Sequence, residues 1–324
     1  MMLVLGLQGS PRLHGNTSFL CSVLLKEAQH LGVRTQRIDV ARQAISGCVA
    51  CGICEKEGFC PVDDDMQAVY PLLREADLVV MATPVFFYGA TAQLKSLIDR
   101  CQAFWARRYV HGLVDPKSSS RQGVLVSVGA TRGENLFDGI VLTAQYFFDA
   151  VGAAFEEKLT YRRVEAPGEI KSHPTAERDA RRFIQHWVSA RQGRKKLIFL
   201  GSDNTGWSQI AGAFAQYHGG GRVEVQSAGV NAGAEIKPEV QELLGEKGMD
   251  LAFRAPQPLK HAMEFVKPDL IVSLGSDAQR TAEGLDVPVE TWELGAERID
   301  VDAGETRRIR DDIEKRVLTL IARC

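Results

Sequence analysis

Apolar positions change period along this chain, and the changes repeat. Residues 2–7 form a short apolar run. A polar, glycine-containing stretch from Gly9 to Thr17 follows, and then Phe19, Leu20, Val23, Leu24, Ala28 and Leu31 recur at helical spacing. That order predicts strand, loop and helix. Val33 to Val40 predicts a second strand. Met66, Val69, Leu72 and Leu73 mark a helix opened by Asp63, Asp64 and Asp65. Leu78 to Ala82 is uniformly apolar, the mark of a strand buried on both faces. Leu94, Leu97, Ile98 and Cys101 share a helix face. A strand at Val124 to Val128, a helix reaching about 151, a strand near 155–161 and a helix over 175–191 complete the series. Strands alternating with helices predict a doubly wound parallel α/β sheet.

The pattern then restarts. Ser189 to Lys196 is polar and basic and contains a glycine, so the sequence predicts two domains, 1–192 and 193–324. Leu197 to Leu200 opens a second, smaller α/β unit. Its further strands are expected at 223–228, 270–274 and 287–292, and its helices around 210–217, 238–248 and 305–322. A chain of 324 residues suits two cores better than one. Lys plus Arg is 39 and Asp plus Glu is 41, a balance that argues against a nucleic-acid partner. No apolar run approaches the roughly 20 residues of a membrane span. The N-terminus reads as a strand and not as a signal peptide, which places the chain in the cytoplasm with reduced thiols.

Four loops follow strands and so gather at the carboxyl edge of the first sheet, where parallel α/β proteins bind ligands. In the first, Ser10, Arg12, Asn16, Thr17 and Ser18 stand at a helix N-terminus, with Asn16 and Thr17 as natural N-caps. A phosphate site and an ordinary capped turn explain that loop equally well. The third loop holds Pro84, Val85, Phe86, Phe87, Tyr88 and Gly89. Its aromatic residues could simply pack in the core, but their place beside proline and glycine favours a ligand. The fourth runs from Gly129 through Ala130 and Thr131 to Gly133. A phosphate site at one end and a flat ring between two loops describe a flavin mononucleotide (FMN) site.

The second loop carries Cys48, Cys51, Cys54 and Cys60, spaced C-x2-C-x2-C-x5-C. Four of seven cysteines within thirteen residues of a long chain are not a disulfide framework. Such spacing suits a soft metal centre, iron–sulfur ahead of zinc, with four free thiols the remaining alternative. Cys21 and Cys101 fall on apolar helix faces and read as core.

Residues 9–17, the cysteine stretch with the Asp63–Met66 segment after it, and residues 83–100 together resemble the flavodoxin-like NADPH-dependent FMN reductase superfamily, and within it the iron–sulfur flavoproteins. The resemblance covers about 1–190. It implies FMN held at its phosphate by Ser10, Arg12, Asn16, Thr17 and Ser18. It implies Pro84, Val85, Phe86, Phe87 and Gly89, with Ala130 and Thr131, around the ring. It further implies a [4Fe-4S] cluster on Cys48, Cys51, Cys54 and Cys60, and a homodimer or homotetramer. The electron donor stays open between NAD(P)H and a ferredoxin, with a quinone as a possible acceptor. The alternatives are a cluster-free NAD(P)H:FMN or quinone reductase, and a redox sensor or adaptor whose second domain is the output surface.

Residues 195–324 resemble the low-molecular-weight tyrosine phosphatases and arsenate reductases. The strand–loop–helix at 197–217, the Ser227–Gly229 and Lys237–Pro238 segments and Leu243–Leu251 carry that likeness. The family's C-x5-R loop needs a thiolate nucleophile and an arginine. Here those positions are Gly201 and Trp207, and the late acidic residue is missing, so phosphatase or arsenate reductase activity is not expected. A scaffold or docking role is the favoured reading. An anion sensor using Asn204 and Ser208 is the other.

Overall fold

The computed structural model describes residues 2–264, 267–295, 299 and 302–324. The chain forms two compact units: residues 2–112 with 120–192, and residues 193–324 with the short segment 113–119. That segment lies inside the first domain in sequence. It joins the second unit because Val114 pairs with the backbone around Met249, and buried Asp115 meets Arg254 at 2.6 Å.

The first unit contains β1 (Leu3–Gln8), α1 (Asn16–His30), β2 (Arg34–Asp39), α2 (Ile53–Glu57), α3 (Met66–Glu75) and β3 (Leu78–Pro84). It continues with α4 (Ala92–Arg100), α5 (Gln102–Tyr109), β4 (Gln122–Gly129), α6 (Asp138–Ala150), β5 (Ala154–Arg162) and α7 (Ala176–Ser189). All strand pairs are parallel, in the order β2-β1-β3-β4-β5. This is the flavodoxin-like doubly wound order. Its strand order reverses between β1 and β3, and the crevice there opens at the carboxyl edge. β1 and β3 are apolar throughout because helices cover both faces. β2 is polar and half-buried because it is an edge strand. On one face, Leu20 and Leu24 of α1 and Ile184 and Trp187 of α7 pack against Val4, Val80 and Val126. Arg121 is 1% exposed, yet its guanidinium donates to the carbonyls of Arg74, Ala76 and Val151, tying the ends of two helices to the lower edge of the sheet.

The second unit contains β6 (Lys195–Gly201), α8 (Trp207–Gly219), β7 (Val223–Gly229), α9 (Pro238–Gly245), α10 (Leu259–Met263), β8 (Leu270–Leu274), α11 (Ser276–Glu283), β9 (Val289–Trp292) and α12 (Ala303–Ala322). Its sheet is parallel, ordered β7-β6-β8-β9. Phe199, Trp207, Phe214, Ile313 and Val317 form the core on one face, and Ile198, Leu200, Ala278 and Ala282 on the other. Among the described residues, no helix is long and apolar enough to cross a membrane.

Several helices are additions to the sequence expectation. α2 is hidden in the cysteine stretch because it is one short turn, bounded by Gly52 and Gly58 in left-handed conformation. α5 follows α4 with only Cys101 between them, so their apolar residues read as the end of a single helix.

Candidate functional site

The loop after β1 is fixed from both sides. Gly9 donates its N–H to Ala82 O at 2.7 Å, and Thr91 Oγ1 donates to Gly9 O at 2.6 Å. A side chain at position 9 would run into Leu94, since its Cβ would lie 2.7 Å from that residue, so the backbone approach requires glycine. α1 opens here, and its N-cap is Gly15, with no side-chain hydrogen bond to the first turn. This corrects the expectation for Asn16 and Thr17, which lie inside the helix and not at the cap.

Asn16 is committed elsewhere: its amide donates to Ala166 O at 2.9 Å and accepts from the Ile170 N–H at 3.3 Å. The Ser18 hydroxyl donates to Leu13 O and accepts from Arg37 at 2.9 Å. Both residues therefore offer backbone N–H groups more readily than side chains. Ser10 Oγ accepts the Arg12 N–H at 3.1 Å and keeps its own hydrogen to donate. Thr17 is buried and Arg12 is exposed. An uncapped N-terminus on a 15-residue helix leaves orphan N–H donors and the positive end of the dipole facing the crevice. That donor set fits a phosphate.

The loop after β3 makes a two-residue turn. Phe86 and Gly89 exchange backbone hydrogen bonds at 3.0 Å in each direction. Phe87 (φ 48°) and Tyr88 (φ 64°) occupy the centre, positions that favour Asn or Gly. The phenyl ring of Phe87 is fully exposed. Two aromatic residues in left-handed backbone, one packing on nothing, are strain that the fold tolerates without visible structural return. Val85 is anchored through its N–H to Val128 O at 3.0 Å. Ala130 and Thr131 are exposed on the adjacent loop after β4, and Gly139 at the start of α6 lies against the Tyr88 carbonyl. The exposed aromatic turn and the loop after β4 stand side by side at the carboxyl edge because β3 and β4 pair.

The loop after β2 brings Cys48, Cys51, Cys54 and Cys60 to one cavity of about 900 Å³, shared with Arg100, Trp105, Tyr109 and Tyr146. Ala50 (φ 53°), Gly52 and Gly58 turn the backbone around it. The Ala50 N–H points at Cys48 Sγ, 3.4 Å away. Burial pushes the Cys54 thiol up, and the neighbouring Cys60, Cys48 and Cys51 push it further. A partly buried thiol with three more sulfurs beside it is the kind of donor set that a metal cation stabilises. Among the described residues, no three His, Cys, Asp or Glu side chains stand at the separation of one shared metal ion.

The equivalent loop of the second unit, after β6, is filled by its own side chains. Asn204 is fully buried with φ 57°. Its amide donates to Ser208 Oγ at 3.0 Å and accepts from the Gln257 N–H and from Gln209 Nε2, both at 3.0 Å. Trp207 is part of the apolar core. A Cβ at Gly201 would lie 2.9 Å from Ser208 Oγ. The two residues that could have contacted an anion are thus bonded to each other.

The sequence reading missed Asp64 and Arg100, which hold the cysteine loop, and the aromatic walls Trp105, Tyr109 and Tyr146. One signal was available for Arg100: it lies three residues after Leu97, on the apolar stripe of α4, where a charged residue needs a buried partner. The aromatic walls gave no signal because they stand on α5 and α6, far from the cysteines in sequence.

Comparison with known proteins matches residues 2–136 to the family of NADPH-dependent FMN reductases and residues 196–293 to the low molecular weight phosphotyrosine protein phosphatases. An iron–sulfur flavoprotein of Methanocaldococcus jannaschii is 32% identical over 163 residues, 47% of this chain and 84% of that protein. A candidate arsenate reductase of Halobacterium salinarum is 34% identical over 134 residues, 39% of this chain and 89% of that protein. Among solved structures, an FMN-dependent NADH-azoreductase from Bacillus anthracis in complex with FMN is similar with a TM-score of 0.44 and 11% identity, covering 58% of this chain and 99% of that one.

The strained turn can be tested without any ligand. Phe87→Gly is expected to raise the unfolding free energy of the flavin-free chain by about 1 kcal/mol in urea titrations, since relief of left-handed strain exceeds the entropy cost of glycine. A loss of stability would show that the turn is not strained.

Proposed function

The chain belongs, through its first half, to the iron–sulfur flavoproteins of the NADPH-dependent FMN reductase family, and on that basis we propose that it is an FMN-dependent oxidoreductase passing electrons between a reduced donor, FMN and a [4Fe-4S] cluster. One observation carries the reading. An uncapped helix N-terminus, an exposed aromatic turn and a four-cysteine loop all follow strands of one parallel sheet and meet at its carboxyl edge. When bound, FMN supplies hydride and single-electron chemistry that no side chain here provides.

The residues divide the work of binding. The first-turn N–H groups of Asn16, Thr17 and Ser18 take the phosphate, with the Ser10 and Thr17 hydroxyls and Arg12. Pro84, Val85, Phe86, Phe87 and Gly89 border one side of the ring, and Ala130 and Thr131 the other. In this reading Phe87 stays in its strained, exposed position because it covers the ring. Cys48, Cys51, Cys54 and Cys60 hold the cluster, and the protein serves in a reducing, cytoplasmic setting. Assembly as a homodimer or homotetramer belongs to the same proposal. Exposed Trp105, Tyr109 and Tyr146, which line the cavity of the cysteine loop, offer apolar surface for it.

Anaerobic stopped-flow reduction tests the electron route. Reduced ferredoxin is expected to bleach the flavin absorbance of the wild-type chain, and to do so slower by on the order of tenfold or more in Cys54→Ser. Equal rates in both proteins, with NADPH as the only effective donor, would identify a cluster-free NAD(P)H reductase instead.

For the second domain we propose a catalytically inactive scaffold or docking role. The self-bonded Asn204–Ser208 loop and the absent nucleophile support it. Isothermal calorimetry of the full chain saturated with FMN, so that the α1 phosphate site is filled, is expected to show no binding heat with phosphate or arsenate. A saturable signal that disappears in Asn204→Ala would restore the sensor reading.

A further inference from the structure

The two stems of the cysteine loop are joined by one buried ion pair. Arg100, the last residue of α4, has a side chain 1% exposed, and its Nη1 lies 2.7 Å from Asp64 Oδ2. Nη1 also donates to Ser46 O at 3.1 Å, and Nη2 donates to Val62 O at 3.1 Å. Ser46 stands just before Cys48 and Val62 just after Cys60, so a single guanidinium spans both ends of the loop. Asp64 repeats the connection: its carboxylate accepts the Ser46 N–H at 2.9 Å and the Met66 N–H at 3.0 Å. Gln67 adds hydrogen bonds to the carbonyls of Cys60 and Val62, and Tyr70 donates to Arg100 O at 2.9 Å.

Two further features point toward the sulfurs. Arg100 lines the same cavity as the four cysteines, and the Cys60 thiol lies against its guanidinium. Its Nε is buried with no acceptor. A buried donor without a partner is costly, and a group held in that cavity would supply one.

We propose that Arg100 is the positioning residue of the four-cysteine centre: with Asp64 it fixes the span from Cys48 to Cys60, and it sets a guanidinium N–H against the Cys60 sulfur. The span-fixing role stands on the loop geometry alone. The contact to sulfur rests on the cluster reading above. Lysine cannot reproduce the planar fork that reaches Ser46, Val62 and Asp64 together. A fixed positive charge beside one ligand sulfur favours the reduced, more negative state of a cluster and raises its potential.

The test uses full-length Arg100→Gln and Arg100→Lys, with circular dichroism as the control for folding. Arg100→Lys carries the comparison where Arg100→Gln does not fold. In metal-free protein, backbone amide exchange is followed by peptide mass spectrometry. The Ser46 and Met66 N–H groups, which Asp64 accepts, are expected to exchange about tenfold faster in Arg100→Gln, less so in Arg100→Lys, with the N–H groups of central strands β1 and β3 unchanged as internal controls. In iron-loaded protein the midpoint potential, read by spectroelectrochemistry, is expected to fall in Arg100→Gln and to recover toward wild type in Arg100→Lys. Unchanged exchange at Ser46 and Met66 overturns the span-fixing role. Full iron content with an unchanged potential overturns the contact to Cys60. A wild-type chain that takes up no iron but shows the exchange difference between wild type and Arg100→Gln upholds the span-fixing role while removing the cluster reading.

Discussion

The chemistry of the first unit depends on the pairing of β1 between β2 and β3. Parallel pairing sends every strand-to-helix loop to the same edge, and the reversal of order between β1 and β3 parts the loops there into a crevice. The uncapped start of α1, the strained Phe86–Gly89 turn and the cysteine loop occupy neighbouring positions because their strands are neighbours. None of the three has a local reason for its form. α1 goes without a side-chain cap, two aromatic residues sit in left-handed backbone, and burial together with three neighbouring cysteines pushes the Cys54 thiol up. Each of these local costs makes sense with a group bound at that edge.

The second unit shows the opposite outcome on a similar plan. Its loop after β6 again precedes a helix, but the interior is closed. Asn204 accepts from Gln209 and Gln257 and donates to Ser208, so the polar groups that would have faced an anion satisfy one another. Trp207 directs its bulk into the core with Phe199 and Trp292. Ile210, Phe214, Ile313 and Val317 complete the same core.

Much of this was legible in the sequence because the signals were local. Uniform apolar runs gave β1 and β3, and helical spacing gave α1 and α7. Cysteine spacing marked the loop, and the missing nucleophile at Gly201 needed only a motif comparison. What stayed hidden depended on partners distant in sequence. Asn16 reads as a cap until Ala166 and Ile170 are seen to hold its amide. Residues 113–119 read as part of the first domain until Val114 and Asp115 are seen beside Met249 and Arg254. Asp64 reads as a helix opener until Arg100 is seen 2.7 Å away. Spacing along one element could not reveal any of these contacts.

The central claim is that the carboxyl edge of the first sheet holds two redox groups, a flavin and an iron–sulfur cluster. The most direct measurement is the FMN, iron, acid-labile sulfide and zinc content of the anaerobically purified chain. The account predicts about one FMN, four iron and four sulfide per chain, with no stoichiometric zinc. FMN without iron or sulfide, or with one zinc in their place, would contradict it.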